Sequence, residues 1–315
     1  MALSPSGTLF LSITQAGKVV ALPDQDGDGV ADRIVTVSQG LDLPHGLAFH
    51  GGYLYVAETG RVVRFPMQGD QPSGSPEVVV PNLPRGAGHF TRSLGIGPDG
   101  KLYVSIGSSC NVCLESDPRR AAIVRYNLDG SGEEIYARGL RNAVSFVWRP
   151  GSDELWATDM GRDWLGDDFP PDELNLVRQG ADYGWPYCNG SQVPDPDFGS
   201  PQRCASTVPP RLSFQAHSAP IGLRFCSGCA LPLLYQGQLF VAFHGSWNRS
   251  VPTGYKVVVV PFRDSNPTGY YDFVTGWLVG TQAWGRPVDV IFGADGALYI
   301  SDDRAGAVYR VSVRR

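Results

Sequence analysis

The stretch Gly97-Pro98-Asp99-Gly100-Lys101-Leu102-Tyr103-Val104-Ser105 joins a tight turn to an alternating apolar segment, and the same phrase returns five more times along the chain. Ser4-Pro5-Ser6-Gly7 precedes Leu9-Phe10-Leu11-Ser12, and His50-Gly51-Gly52 precedes Leu54-Tyr55-Val56-Ala57. Arg149-Pro150-Gly151-Ser152 precedes Leu155-Trp156-Ala157-Thr158, and Tyr235-Gln236-Gly237 precedes Leu239-Phe240-Val241-Ala242. The last copy is Gly293-Ala294-Asp295-Gly296 before Leu298-Tyr299-Ile300-Ser301. Pro and Gly set the turn, and the period-2 apolar run marks a strand that ends in small or acidic residues. Third strands follow several copies, as in Gly17 to Leu22, Ile123 to Tyr126 and Ala307 to Val311. Short strands repeated on the order of 40 to 60 residues apart read as blades. The expectation is an all-β fold, a six-bladed β-propeller forming a single domain over residues 1–315. A β-sandwich has similar strand content but gives no reason for one phrase to recur with one downstream pattern.

The strand pattern starts almost at Met1, so the first strand of the ring is expected to be absent or very short and the closure imperfect. Two stretches, about 159 to 217 and 262 to 284, are rich in Pro, Asp, Gly and Trp. They read as long irregular loops, where function concentrates on a rigid scaffold.

Composition narrows the function classes. The 315 residues carry 26 Lys and Arg against 31 Asp and Glu, a net charge of -5, and only 18% of them are charged. With 7 Trp, 13 Tyr and 14 Phe the chain can bury a large core, which excludes a disordered tail. An acidic chain without Lys/Arg clusters has no footprint for nucleic acid or anionic lipid. No run approaches the roughly 18 apolar residues of a membrane span. The six cysteines fall into the pairs Cys110/Cys113, Cys188/Cys204 and Cys226/Cys229. Disulfides, zinc and free thiols are the alternatives; disulfides imply an oxidising compartment, hence a periplasmic or secreted protein.

Three of the five histidines, His45, His89 and His217, each stand just before the first strand of a repeat. In a propeller that position rims the central channel, so the three converge on an axis. Arg141-Asn142 and Arg286 stand in the same way before the fourth and sixth repeats. An arginine at such a rim needs an anionic partner, either an internal salt bridge or a small acidic ligand. Asp24, Asp26, Asp28 and Asp32 have the oxygen spacing of a calcium loop, although Val35 occupies the place of the bidentate Glu of an EF-hand. A solvated acidic turn is the alternative. The second acidic stretch, Asp159 to Asn175, suits calcium better than zinc.

Ile123 to Gly130, Gly139-Leu140-Arg141-Asn142, Asp172-Glu173-Leu174-Asn175 and Ala181-Asp182-Tyr183-Gly184-Trp185-Pro186 together resemble the glucose/sorbosone dehydrogenase family. These are pyrroloquinoline quinone (PQQ)-dependent aldose dehydrogenases on six-bladed propellers. The segment Phe243-His244-Gly245-Ser246-Trp247-Asn248-Arg249 resembles the sorbosone dehydrogenase-like branch. The resemblance implies that His89 is the base that takes the proton of the sugar C1 hydroxyl as hydride passes to the quinone. It implies that Arg141 and Asn142 hold the quinone, and that Arg286 pairs with a cofactor carboxylate. It further implies that Gly161 and Arg162 offer backbone carbonyls to a catalytic Ca2+, while Glu173 and the Tyr183 carbonyl hold a structural one. An external electron acceptor, a cytochrome or a quinone, completes the cycle.

The departures are specific. Gly88 replaces an acid that precedes the base in the family's glucose enzymes, so His89 needs another partner, for which His45 is a candidate. Gln215 and His217 stand where those enzymes have other residues near the cofactor, and their cofactor lysine has no match, leaving Arg249 or Asn248 to substitute. A calcium-dependent sugar lactonase and a propeller that only binds are the rival readings.

Overall fold

The structure, a computed structural model, describes residues 1–313. Six small antiparallel sheets follow one another around an axis as a six-bladed β-propeller. Their first strands are Ala2–Leu3, Leu47–His50, Arg92–Ile96, Phe146–Trp148, Pro220–Phe225 and Pro287–Phe292, which pack against one another around the axis. The six repeated apolar segments form the second strands: Leu9–Ile13, Tyr53–Glu58, Leu102–Ile106, Leu155–Asp159, Leu239–Phe243 and Leu298–Asp302. Each pairs on one side with the first strand and on the other with a third. The repeated turn has a direct cause: Gly100 donates its N–H to the Gly97 carbonyl at 2.9 Å with φ 72°, and Gly296 bonds to Gly293 in the same way with φ 75°. Both lie in the left-handed region that favours glycine.

The core is divided among the seams between blades. Five apolar clusters fill five of them, for example Tyr55, Val62 and Leu94 with Val104 and Val124 between the second and third blades. The alternating strands explain this, because each blade is buried on both faces. Trp156 and Phe240 are fully enclosed and edge-packed against Phe262 and Phe273.

The first strand of the ring is two residues long, pairing Ala2 and Leu3 with Phe10 and Leu9. The long stretches are less irregular than their composition suggests. The first carries the third and fourth strands of the fourth blade, Asp172–Val177 and Leu212–Phe214, with a hairpin and a four-residue helix between them. The second carries the fourth strand of the fifth blade, Tyr271–Val274, flanked by two hairpins. All six cysteines are paired as three disulfides, Cys110–Cys113, Cys188–Cys204 and Cys226–Cys229.

The acids that end the second strands have a shared task. Glu58 accepts the Asp42 amide at 2.6 Å, Asp159 those of Arg141 and Asn142 at 2.8 and 2.6 Å, and Asp302 that of Arg286 at 2.9 Å. In each case the amide belongs to the segment leading into the first strand of the same blade. A carboxylate receiving buried N–H groups fixes that segment at one end of the ring. This end carries the histidines and arginines singled out in the sequence, whereas the Asp24 to Asp32 loop follows the third strand of the first blade at the other end.

Candidate active site at the rim

His89 precedes the first strand of the third blade, and its position is set by Ser108 after the second strand. Its amide donates to the Ser108 carbonyl at 3.0 Å. Its Nδ1 lies 3.0 Å from both the carbonyl and the hydroxyl oxygen of Ser108. A carbonyl only accepts, and the Ser108 hydroxyl already donates to the Cys110 carbonyl at 2.7 Å. Nδ1 therefore carries the proton and Nε2 is the lone-pair nitrogen. Ser108, not His45, orients the ring; His45 instead has its Nδ1 3.3 Å from the Ser93 hydroxyl, and burial pushes it down to about 4.

The missing acid before His89 has a steric reason. Gly88 has φ 83°, and a Cβ there would meet the Ser109 carbonyl carbon at 2.4 Å and the Ser108 oxygen at 2.5 Å. Any side chain at this position collides with backbone.

Cations surround the imidazole. Arg92 donates to the carbonyls of His89, Thr91 and Pro84, and Arg120 to those of His89, Gly107 and Arg85. Burial and Arg120 push Arg92 down to about 9, and its Nε is buried without a partner. His89 is pushed down to about 3 by burial and then by Arg141, Arg120 and Arg92. The ring is neutral throughout the physiological range.

Arg141 reaches the same place from the fourth blade. Its carbonyl accepts the Ser108 amide at 2.8 Å. Its guanidinium donates to the Asn111 carbonyl and Oδ1 at 2.9 Å each, to the Gly161 carbonyl at 3.0 Å and to Asp163 at 3.1 Å. Asn142 joins the group through Gly107, whose added Cβ would meet Asn142 Oδ1 at 2.5 Å and the His89 Cβ at 2.7 Å. His89, Arg141 and Asn142 thus form one contiguous cluster.

The other predicted cofactor residues line the neighbouring loops. His217, with φ 63°, places Nε2 2.9 Å from the Gly166 carbonyl. Arg249 is tied to the Asp167 carbonyl, to Asp168 at 3.1 Å and to the Ala216 carbonyl at 3.4 Å. Asn248 donates to Asp163 at 2.8 Å, which connects this loop to Arg141. Arg286 donates to Nδ1 of His244 at 3.0 Å, and Nε2 of His244 faces Asp303 at 3.1 Å.

The predicted metal residues divide by location. Asp159 and Glu173 face each other across paired strands beside Tyr183, around a cavity of about 20 Å³. Burial pushes both carboxyls upward, and Asn175 is the side-chain donor to Glu173 at 2.9 Å. Asp159 takes two amides and Glu173 one side-chain amide, but no cationic side chain bonds to either carboxylate, and two adjacent buried acids without one fit a hard cation in a space that suits one ion or water. Gly161 has its amide on Asp172 at 3.1 Å and its carbonyl shared with Arg141. Arg162 turns its side chain away to Asp195 and Asp197 at 2.8 and 2.9 Å, leaving only its carbonyl for the role expected of it. Asp24, Asp26 and Asp28 cluster within 4.8 Å of one another on the opposite end of the ring, with Asp32 bonded to the Gln25 amide. That loop does not join the rim.

Ser108 and Asn111 carry no signal in the sequence, and Asp163 is legible there only as one acid of the stretch Asp159 to Asn175: Asn111 meets Asp163 across a blade seam, and Ser108 meets His89 within the third blade from 19 residues away. Sequence reasoning also passed over Trp164 and Trp247, which flank the Asp163–Asn248 bond. They are 70% and 65% exposed and meet edge to face at 5.1 Å. Trp164 keeps this place at φ 74°, a costly conformation for so large a residue.

A segment of 216 residues is 38% identical to an uncharacterized protein of Borreliella burgdorferi, covering 67% of this chain and 57% of that protein. A segment of 125 residues is 35% identical to the pyrroloquinoline quinone-dependent pyranose dehydrogenase of Coprinopsis cinerea, covering 33% of this chain and 16% of that protein. The aligned segments thus span little more than half of the first relative and about a sixth of the second. Among solved structures, the calcium structure of the Trichoderma reesei Carbohydrate-Active Enzymes Family AA12 superposes with a TM-score of 0.82 at 24% identity, covering 98% of this chain and 90% of that one. At that identity the likeness is one of fold. The model of the TrAA12-like family matches residues 1–314, and the chain belongs to that family.

Proposed function

We propose that this chain is an oxidoreductase that uses PQQ to oxidise a sugar at its C1 hydroxyl. The observation that carries the reading is His89: a neutral imidazole whose Nδ1–H is fixed by Ser108, with Nε2 left as base, beside Arg92 and Arg120, whose guanidiniums meet only backbone carbonyls, and Arg141, which is paired with Asp163. Guanidiniums answered by carbonyls rather than by carboxylates suit a planar polyanion such as PQQ, a tricarboxylate. The relative in Coprinopsis cinerea bears the name of a PQQ-dependent pyranose dehydrogenase, which agrees with this choice.

Bound at the rim, PQQ supplies a two-electron acceptor for hydride. Nε2 of His89 takes the hydroxyl proton of the sugar, and loss of hydride from C1 leaves a lactone. Arg141 and Asn142 bind the anionic group, and Arg141 opposes negative charge that develops there. Arg286, now bonded to His244, would pair with a carboxylate, with His217 and Arg249 shaping the adjoining wall. The exposed faces of Trp164 and Trp247 offer a surface for a pyranose ring. Calcium is assigned to Asp159, Glu173 and the Tyr183 carbonyl, and a second ion to the carbonyls of Gly161 and Arg162. Reoxidation falls to an external cytochrome or quinone. Three disulfides support a periplasmic or secreted location.

Two variants test the roles. His89→Ala is expected to bind PQQ with affinity close to that of the parent while turnover falls between about a hundred- and ten-thousandfold. Arg141→Ala is expected to weaken PQQ binding at least about tenfold. Equal losses of binding and turnover in His89→Ala contradict its role as base, and an unchanged titration contradicts that of Arg141.

A further inference from the structure

The loop after the second strand of the third blade contains Cys110-Asn111-Val112-Cys113, closed by a disulfide between residues three apart. Every polar group that Asn111 places outside this ring reaches the fourth blade. Its Oδ1 accepts from Arg141 Nη2 at 2.9 Å and from the Asp163 amide at 2.8 Å. Its Nδ2 donates to the Asp163 carbonyl at 3.0 Å. Its carbonyl accepts from Arg141 Nε at 2.9 Å and Trp185 Nε1 at 3.3 Å. One residue before, the Cys110 carbonyl takes the Ser108 hydroxyl proton and so commits the serine to receive His89 Nδ1–H.

We infer that the Cys110–Cys113 ring is a positioning element of the rim site, with Asn111 as the side chain that holds Arg141 in its working orientation. A disulfide over so short a span removes little entropy from the unfolded chain, so its effect is local geometry. Two dihedral-rich residues are locked where Arg141, a long side chain with much rotamer freedom, must be held still. The Arg141 side chain is 6% exposed and lies against acceptors that this ring supplies twice over. The protein contains its own control. Cys226–Cys229 closes a ring of the same size, with the same separation of three, in the turn between the first and second strands of the fifth blade. That turn lies at the opposite end of the propeller.

What Arg141 binds rests on the proposed function; how it is held does not. The test therefore reads Arg141 in cofactor-free protein. Phenylglyoxal is applied and its rate of attack on the Arg141 peptide is followed by mass spectrometry. The variants are Asn111→Ala, Asn111→Asp, Cys110→Ala/Cys113→Ala and Cys226→Ala/Cys229→Ala. PQQ titration of the same set is the second readout.

Asn111→Ala and the Cys110/Cys113 double variant are expected to react at Arg141 at least about ten times faster and to bind PQQ at least about ten times more weakly, the loss of one charged hydrogen bond. Asn111→Asp keeps the acceptor and is expected to recover most of the protection. The Cys226/Cys229 variant is expected to match the parent. Unchanged Arg141 reactivity in Asn111→Ala overturns the inference, and so does an equal rise in the Cys226/Cys229 variant. Should the parent fail to bind PQQ while the reactivities follow the expected order, the positioning role stands and the proposed function falls.

Discussion

His89 acquires its chemistry from neighbours rather than from its own place in the chain. The Ser108 carbonyl assigns the proton to Nδ1, and burial among three arginines keeps the ring neutral. Gly88 shows why this protein orients its histidine through a serine. Replacing it with Asp, to supply the acid found in the family's glucose enzymes, is expected to lower stability by about 2 kcal/mol or more, because φ 83° and a 2.4 Å approach to backbone both oppose a Cβ. Urea unfolding of Gly88→Asp checks this; a variant as stable as the parent contradicts it. His89, Arg141 and Asn142 were visible in the sequence because each precedes the first strand of a repeat. Ser108 and Asn111 were not: Ser108 meets His89 only once the third blade has folded, Asn111 meets Arg141 across a blade seam, and residue type alone gives no hint of either.

At the scale of elements, the second strands determine both the fold and the site. Their repetition made the six blades legible, and their terminal acids turn out to hold the segments on which the candidate residues stand. Asp302 illustrates the cost of losing one. Its Oδ1 accepts the amides of Arg286, Arg304 and Ala305 at 2.9, 2.9 and 2.8 Å, and its Oδ2 the Tyr309 hydroxyl at 3.1 Å. Asp302→Ala is expected to destabilise the protein by about 1–3 kcal/mol through unsatisfied donors, measured by chemical denaturation. A change below about 0.5 kcal/mol would show that water replaces the carboxylate freely. The long stretch from 159 to 217 was legible only as a loop. Its strand Leu212–Phe214 pairs with Asp172–Leu174 after a long excursion, and so short a strand carries no period of its own.

For the whole molecule, buried titratable groups oppose one another. Asp159, Asp172 and Glu173 are raised by burial, Asp172 to about 7. In this state the native protein holds protons that the unfolded chain has lost. Their stabilising contribution is full below the ordinary carboxylate range and disappears as pH rises through about 7. His45 and His89, lowered to about 4 and 3, act in reverse: their contribution is full above the ordinary histidine value of 6.5 and is lost as pH falls toward 4. Without metal, the three carboxyls outweigh the two histidines, and the melting temperature is expected to fall steadily as pH rises from 5 to 8. Calcium, if bound between Asp159 and Glu173 as proposed, would remove the carboxylate penalty. Saturating Ca2+ is expected to raise the melting temperature at pH 8 by about 5 °C or more and at pH 5 by far less. A rise of equal size at both pH values, or none at pH 8, contradicts that assignment. The belonging of residues 1–314 to the TrAA12-like family agrees with the resemblance carried by Arg141-Asn142 and Asp172-Glu173-Leu174-Asn175.

The central claim is that the rim holds PQQ and uses it on a sugar. The most direct test adds PQQ and Ca2+ to the purified protein, follows the quinone absorbance, and then measures dye reduction over a panel of aldoses. Saturable binding with sugar-dependent dye reduction is the predicted result. Absence of quinone binding at micromolar concentrations with calcium present would contradict it.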